Sequence, residues 1–162
     1  MKKEILPISL ILILALARLI PHPPNFTPII AVAILSGYFF KNIYISFLTL
    51  IISMLIADIF LGFHSNIFFV YISLLIISYT FFKIGEKINY KNLIFYSFFG
   101  SLVFFIISNF GVWLLGGMYE KNLTGIIECY ILAIPFFGNT FLSTLIFSYP
   151  SIFLYRSILI KI

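Results

Sequence analysis

Six apolar stretches, at 5–20, 26–40, 43–63, 67–82, 93–115 and 139–159, follow one another with only short polar breaks between them. This pattern constrains the fold more than any single residue does. A membrane-crossing helix needs about 20 apolar residues, as few as about 17 when short, and the breaks leave no room for an extramembrane domain. A soluble domain carries roughly 25% charged residues, whereas this chain of 162 residues is 9% charged and 62% hydrophobic. Soluble domains of about 150 residues bury only about 70% of the surface their unfolded chains expose, so an aqueous interior could not hide so much apolar side chain. The composition excludes a soluble enzyme. It predicts an all-α polytopic integral membrane protein, a single domain of six transmembrane helices over 1–162 with the lipid bilayer as its solvent.

Local signals place the helix ends. Met1-Lys2-Lys3-Glu4 and the apolar run behind it have the layout of a signal peptide, with Ala15-Leu16-Ala17 as a possible cleavage site. The run continues past that point to Ile20, so an uncleaved first helix is expected. Pro21-His22-Pro23-Pro24-Asn25 then stops it, because prolines remove donors and push their neighbours out of helical geometry. The second helix, 26–40, reaches only about 22 Å at ~1.5 Å per residue, short of a ~30 Å hydrocarbon core, and is expected to be sheltered by neighbours. Near the end, a helical piece at 123–134 meets Pro135-Phe136-Phe137-Gly138, which predicts a broken, re-entrant-like segment before the last helix. Such a break is tolerated only where protein or a water-filled cavity surrounds it.

With a cytoplasmic N-terminus and six crossings, Lys2, Lys3, Lys41, Lys83, Lys87, Lys91, Arg156 and Lys161 fall inside, leaving Arg18 and Lys121 outside. That is the positive-inside pattern of a bacterial cytoplasmic (inner) membrane protein with both termini cytoplasmic. The net charge of +5 is then a topology mark, and no nucleic-acid partner is implied. Glu4 and Glu86 fall inside as well, and Asp58, Glu120 and Glu128 near the outside.

The same topology gathers the unusual polar residues on the external side. Asp58 lies five residues, about 8 Å, below the end of an apolar helix. A charge at mid-membrane costs ~2.5–3.5 kcal/mol on the insertion scale, less near the interface. It therefore needs a partner, with Arg18 first and His22 second. The pair either locks helices 1 and 3 or lines an outward-facing cavity and orients a ligand. Asn109 and Trp113, spaced i, i+4, share a helix face; Trp113 and Tyr119 are each either an interfacial anchor or a stacking surface. Glu128 faces either the cavity, with Thr124, or external water. Asn25, His64 and Asn139 complete the cluster. His22, His64, Asp58, Glu128 and Cys129 have metal-competent side chains, but their spacing fixes no coordination shell, and no metal or cofactor is expected. The lone Cys129 reads as a packing residue. Ser97, Ser101 and Ser108, and the small residues from Ala33 to Gly37, read as close helix packing. No Ser–His–Asp order, phosphate loop or carboxylate pair supports an enzyme.

Four stretches carry a resemblance: Arg18-Leu19-Ile20-Pro21-His22-Pro23-Pro24-Asn25-Phe26-Thr27-Pro28, Ala57-Asp58-Ile59-Phe60-Leu61-Gly62-Phe63-His64, Asn109-Phe110-Gly111-Val112-Trp113 and Ile134-Pro135-Phe136-Phe137-Gly138-Asn139-Thr140. In these the chain resembles a bacterial family of uncharacterised small membrane proteins, itself similar to the substrate-binding S components of energy-coupling-factor vitamin transporters. The resemblance implies six helices that capture a vitamin or similar micronutrient in a pocket roofed by external loops. In the solitary cobalamin-binding type a His after helix 1 and an Asp late in helix 3 correspond to His22 and Asp58, which makes a corrinoid one candidate ligand. That type's Cys near the loop between helices 3 and 4 has no counterpart here. The resemblance also implies an energising transporter module as partner, although Ala15 and Ala17 stand two apart and helix 1 lacks the Ala-x-x-x-Ala docking pattern. The function expected is micronutrient binding and uptake by Arg18, His22, Asn25, Asp58, His64, Asn109, Trp113, Tyr119, Glu128 and Asn139. The alternative is a membrane enzyme acting on a lipid or prenyl substrate, with His22, Asp58 and His64 as its acid–base or metal residues.

Overall fold

The computed structural model describes residues 2–85 and 88–159. Six α-helices follow in order: α1 Lys2–Leu16, which passes into a 3-10 turn Ala17–Leu19, α2 Ile29–Phe39, α3 Ile43–Leu61, α4 Ile67–Ile84, α5 Leu93–Leu115 and α6 Leu123–Leu159. Four of them, α3 to α6, are long and apolar enough to cross a membrane. Their outer faces carry exposed Leu48, Ile52, Phe68, Phe95, Ile106, Leu142 and Phe153, an apolar surface far beyond what a water-soluble monomer presents.

The shortest helix is the central one. Nine of the eleven residues of α2 are buried, as expected of a helix apolar on every side, and α1, α3, α4, α5 and α6 all pack on it. Its sheltering from lipid was expected from its length, but its start is later than the apolar run suggests. Pro23 and Phe26 close a turn through the Phe26 N–H to the Pro23 carbonyl (3.0 Å), Asn25 takes φ +59°, and helical bonding begins with Val32 N–H to the Pro28 carbonyl (2.8 Å).

Small residues set the closest contact. A Cβ on Gly37 would overlap the Ser78 carbonyl oxygen and press on the Phe82 backbone nitrogen, so α2 and α4 touch backbone to backbone. Beside it the hydroxyls of Ser36, Ser46 and Ser78 form a buried network at 2.9–3.0 Å, with Ser46 also donating to the Ser36 carbonyl at 2.7 Å. Ser101 meets Thr144 at 3.4 Å. The small-residue packing read from Ala33 to Gly37 and from the serine row is present.

One expectation fails. The break at Pro135–Gly138 does not exist: α6 is one helix of 37 residues with Pro135 and Pro150 inside it, about 55 Å long. Proline removes one i→i−4 bond, yet neighbouring helices hold such positions in membrane proteins. Here α5 does so. The Tyr130 hydroxyl donates to the Ile106 carbonyl (2.6 Å) and the Cys129 thiol to the Asn109 carbonyl (3.5 Å). Phe137 packs edge-on against Phe98 (5.6 Å) and Phe105 (5.5 Å).

At the end where α2 finishes, the Arg156 guanidinium lies over the rings of Tyr38 (5.7 Å) and Tyr90 (5.2 Å). It donates to the Tyr38 hydroxyl (2.9 Å) and the Ile88 carbonyl (2.5 Å). Lys41, Lys83 and Lys91 are exposed at the same end. Glu86, Lys87 and Lys161, three of the charges assigned to that side, lie outside the described residues.

Candidate functional site

The site follows from the difference in helix length. Ile30, in the first turn of α2, faces Gly100 of α5, and α5 runs on to Leu115, about 22 Å further. The 20–28 loop, exposed from Ile20 to Asn25, is correspondingly placed at mid-height and tied to the middle of α6. Asn139 Nδ2 donates to the Pro24 carbonyl (3.0 Å), Thr140 Oγ1 to the Asn25 carbonyl (3.5 Å) and Ser143 Oγ to the Thr27 carbonyl (3.0 Å). Above the start of α2, between α4, α5 and α6, a cavity of about 280 Å³ remains.

Residues from all four sequence stretches line it: Arg18, Asn25 and Thr27 from the first, His64 from the second, Asn109 and Val112 from the third, and Phe136, Phe137 and Thr140 from the fourth. Asn66, Ser108 and the rings of Phe104 and Phe105 complete the wall. Asn109 Nδ2 donates back to the Phe105 carbonyl (2.8 Å), and Asn66 Nδ2 crosses from α4 to the Ser108 carbonyl (2.9 Å). Gly111 permits this, since a Cβ there would overlap Asn66 Oδ1 and the Phe69 ring.

Arg18 and Asp58 meet. Arg18 Nη2 stands 2.8 Å from Asp58 Oδ1, with side chains 12% and 2% exposed, and the Tyr71 hydroxyl donates to Asp58 Oδ2 at 2.6 Å. The contact with Arg18 is an ion pair at close range; the guanidinium N–H aligned on an acceptor is Nη1, on Met54 Sδ at 3.6 Å. Arg18 faces the cavity, and Asp58 sits behind it, outside the lining.

The other sequence candidates are distributed around this centre. His22 is exposed and turned away, its Nδ1–H donating to the Pro23 carbonyl (2.9 Å), in a separate apolar groove with Phe26, Pro28 and Phe147. The structure therefore does not bring it to Asp58. Trp113 is committed to the turn between α5 and α6: its Nε1–H donates to the Glu120 carbonyl (2.9 Å). The Lys121 ammonium lies over the indole at 5.7 Å and caps the carbonyls of Trp113 and Gly116, the latter at 2.6 Å. A cation there also opposes the negative end of the α5 dipole. Tyr119 and the exposed Glu128 lie near that turn, away from the cavity lining. Desolvation, then Cys129 and Glu128, raise the Tyr119 phenol above its ordinary value, so it is a neutral hydroxyl at physiological pH. Asn139 holds the 20–28 loop and does not line the cavity. Among the described residues no three of His, Cys, Asp and Glu come together as metal ligands.

The model of a family of unknown function, DUF6580, matches residues 1–157. The chain belongs to that family. No curated protein and no solved structure matches this DUF6580 chain.

Three parts of the DUF6580 site carry little sequence signal. Tyr71 is one of ten tyrosines, and nothing local marks it as the carboxylate's second partner. Asn66 reads as a connecting residue, and Phe104 and Phe105 are lost among 21 phenylalanines.

Proposed function

We propose that this protein is a six-span inner-membrane protein that captures a small micronutrient-like molecule from outside the cell in the cavity above α2, as a transporter S component does. One observation carries the reading: four stretches dispersed over the chain converge on a single cavity of about 280 Å³ whose wall combines one cation, several amides and hydroxyls, and phenyl rings. Small-molecule sites have this make-up, an apolar wall with a few placed polar groups, and occupy about 300–1,000 Å³. The volume lies just below that range, which favours a compact ligand over a corrinoid macrocycle. Arg18, Asn25, His64 and Asn109 contact the ligand, Asp58 and Tyr71 position Arg18, and Asn139 positions the loop. The cavity faces outward because Lys41, Lys83 and Lys91 are exposed at the opposite end, against Lys121 at the cavity end. Any energising module docks from that cytoplasmic side.

Native mass spectrometry of the protein purified in detergent tests this. The expected result is a bound small molecule that is missing from Ala133→Trp, which fills the cavity. Wild-type protein that carries none and gains none from cell extract overturns the proposal.

A further inference from the structure

We propose that the group recognised in this cavity is a carboxylate, presented to Arg18 by a ligand whose remaining body lies against Phe104, Phe105 and Phe136; the proposal rests on the reading of the cavity as a ligand site. The first argument is the free hydrogen-bonding capacity of Arg18. A guanidinium has five N–H donors in a rigid fork. Arg18, 12% exposed, aligns one of them, on the thioether of Met54, and meets Asp58 at 2.8 Å as an ion pair without an aligned hydrogen bond. None of its nitrogens is enclosed without a partner, so its free donors are open to the cavity that Arg18 lines, and the acceptor that fits the fork edge to edge is a carboxylate.

The second argument is the order of charges. A ligand entering the cavity meets Arg18 first, because no acidic side chain lines the wall and Asp58 stands behind the guanidinium. Asp58 keeps the empty site neutral, and its other oxygen rests on Tyr71, so the guanidinium can share itself with a second acid without leaving Asp58 bare. Backbone polarity adds to this. Ile29 lines the cavity, and Pro28 caps α2 without a side-chain hydrogen bond, so the positive end of the α2 dipole lies beside Arg18. With one cation available, a monoanion fits better than a phosphate dianion.

Benzoate and benzamide share a ring and differ at the acid, and titration of the full-length protein in detergent by calorimetry separates them. Benzoate is expected to bind about ten-fold more tightly, the value of roughly one charge-assisted hydrogen bond. Arg18→Gln alone leaves Asp58 buried and unpaired, so the informative variant is Arg18→Gln/Asp58→Asn, which removes both charges together; it is expected to melt as a folded protein and bind the two probes equally. Ala133→Trp, or Val112→Trp if the former does not fold, is expected to abolish both. Benzamide binding as tightly as benzoate, or neither probe binding the wild type, overturns the carboxylate assignment and leaves the cavity reading to the co-purification test. Benzoate binding that survives the cavity-filling variant overturns both.

Discussion

At the scale of the residue, two kinds of position are fixed by what surrounds them. Gly37 has no room for a methyl group, because the space a Cβ needs is filled by α4 backbone. Gly37→Ala should therefore force α2 and α4 apart and destabilise by about 1–3 kcal/mol, the usual range for overpacking. Gly138 is the contrast: it lies within α6, and a Cβ added there would meet nothing within 4 Å. There Gly138→Ala should stabilise by up to about 1 kcal/mol through helix propensity. Thermal melting in one detergent measures both, and equal shifts of one sign would contradict the packing described. The Arg18–Asp58 pair is fixed by charge. Asp58→Asn leaves a nearly buried guanidinium without its counter-ion, a loss of about 3–5 kcal/mol for buried pairs, whereas Arg18→Gln/Asp58→Asn removes both charges and should recover much of it. A double-mutant cycle that closes with no coupling would show that the pair does not bind the helices.

At the scale of the element, helix lengths and proline positions determine the architecture. The helix predicted at 93–115 is α5 Leu93–Leu115, legible because an apolar run lies between Asn92 and the Gly116-Gly117 pair. That Asp58 needs a partner was legible too, with Arg18 the first candidate and His22 the second, since an acid within an apolar helix demands a partner at equal depth; the structure selects Arg18. Depth along a helix was harder to read. Asn109 and Trp113 do share a face of α5, but periodicity fixes a face and not a height; one turn above Asn109, the indole is taken up by the α5–α6 turn. The continuity of α6 was illegible because Pro135 has the same local chemistry in a broken and an unbroken helix, and the deciding contacts come from α5, far away in sequence. Continuity has a consequence. Pro135→Ala restores an N–H for the Ile131 carbonyl, so it should keep the fold and raise stability by about 1–3 kcal/mol, part of the helix penalty of proline. If the fold instead required a break there, the same substitution would destabilise, and a lowered melting temperature would show it.

At the scale of the whole molecule, the bundle has two unlike ends. One holds the cavity, the proline loop, His64 and the turn at Lys121; the other holds Lys41, Lys83, Lys91 and the Arg156 guanidinium over Tyr38 and Tyr90. Basic residues within a few residues of helix ends stay on the cytoplasmic side, and aromatic rings beside a cation suit the headgroup region, where one end of each side chain is wet. In the proposed orientation all six helices cross, α1, α3 and α5 outward and α2, α4 and α6 inward, whereas α3 to α6 alone are long enough to span unaided. The 20–28 loop meets α2 at mid-height of α6, which in that orientation completes the two short helices. Labelling in intact cells checks the arrangement. In a Cys129→Ala background, Ser65→Cys, exposed beside His64, should react with a membrane-impermeant maleimide from outside. Lys91→Cys, exposed at the other end, should react only after the cells are opened. Reversed accessibility would turn the cavity toward the cytoplasm and exclude capture from outside; reaction of both positions in intact cells would mean that the chain between them does not cross an odd number of times.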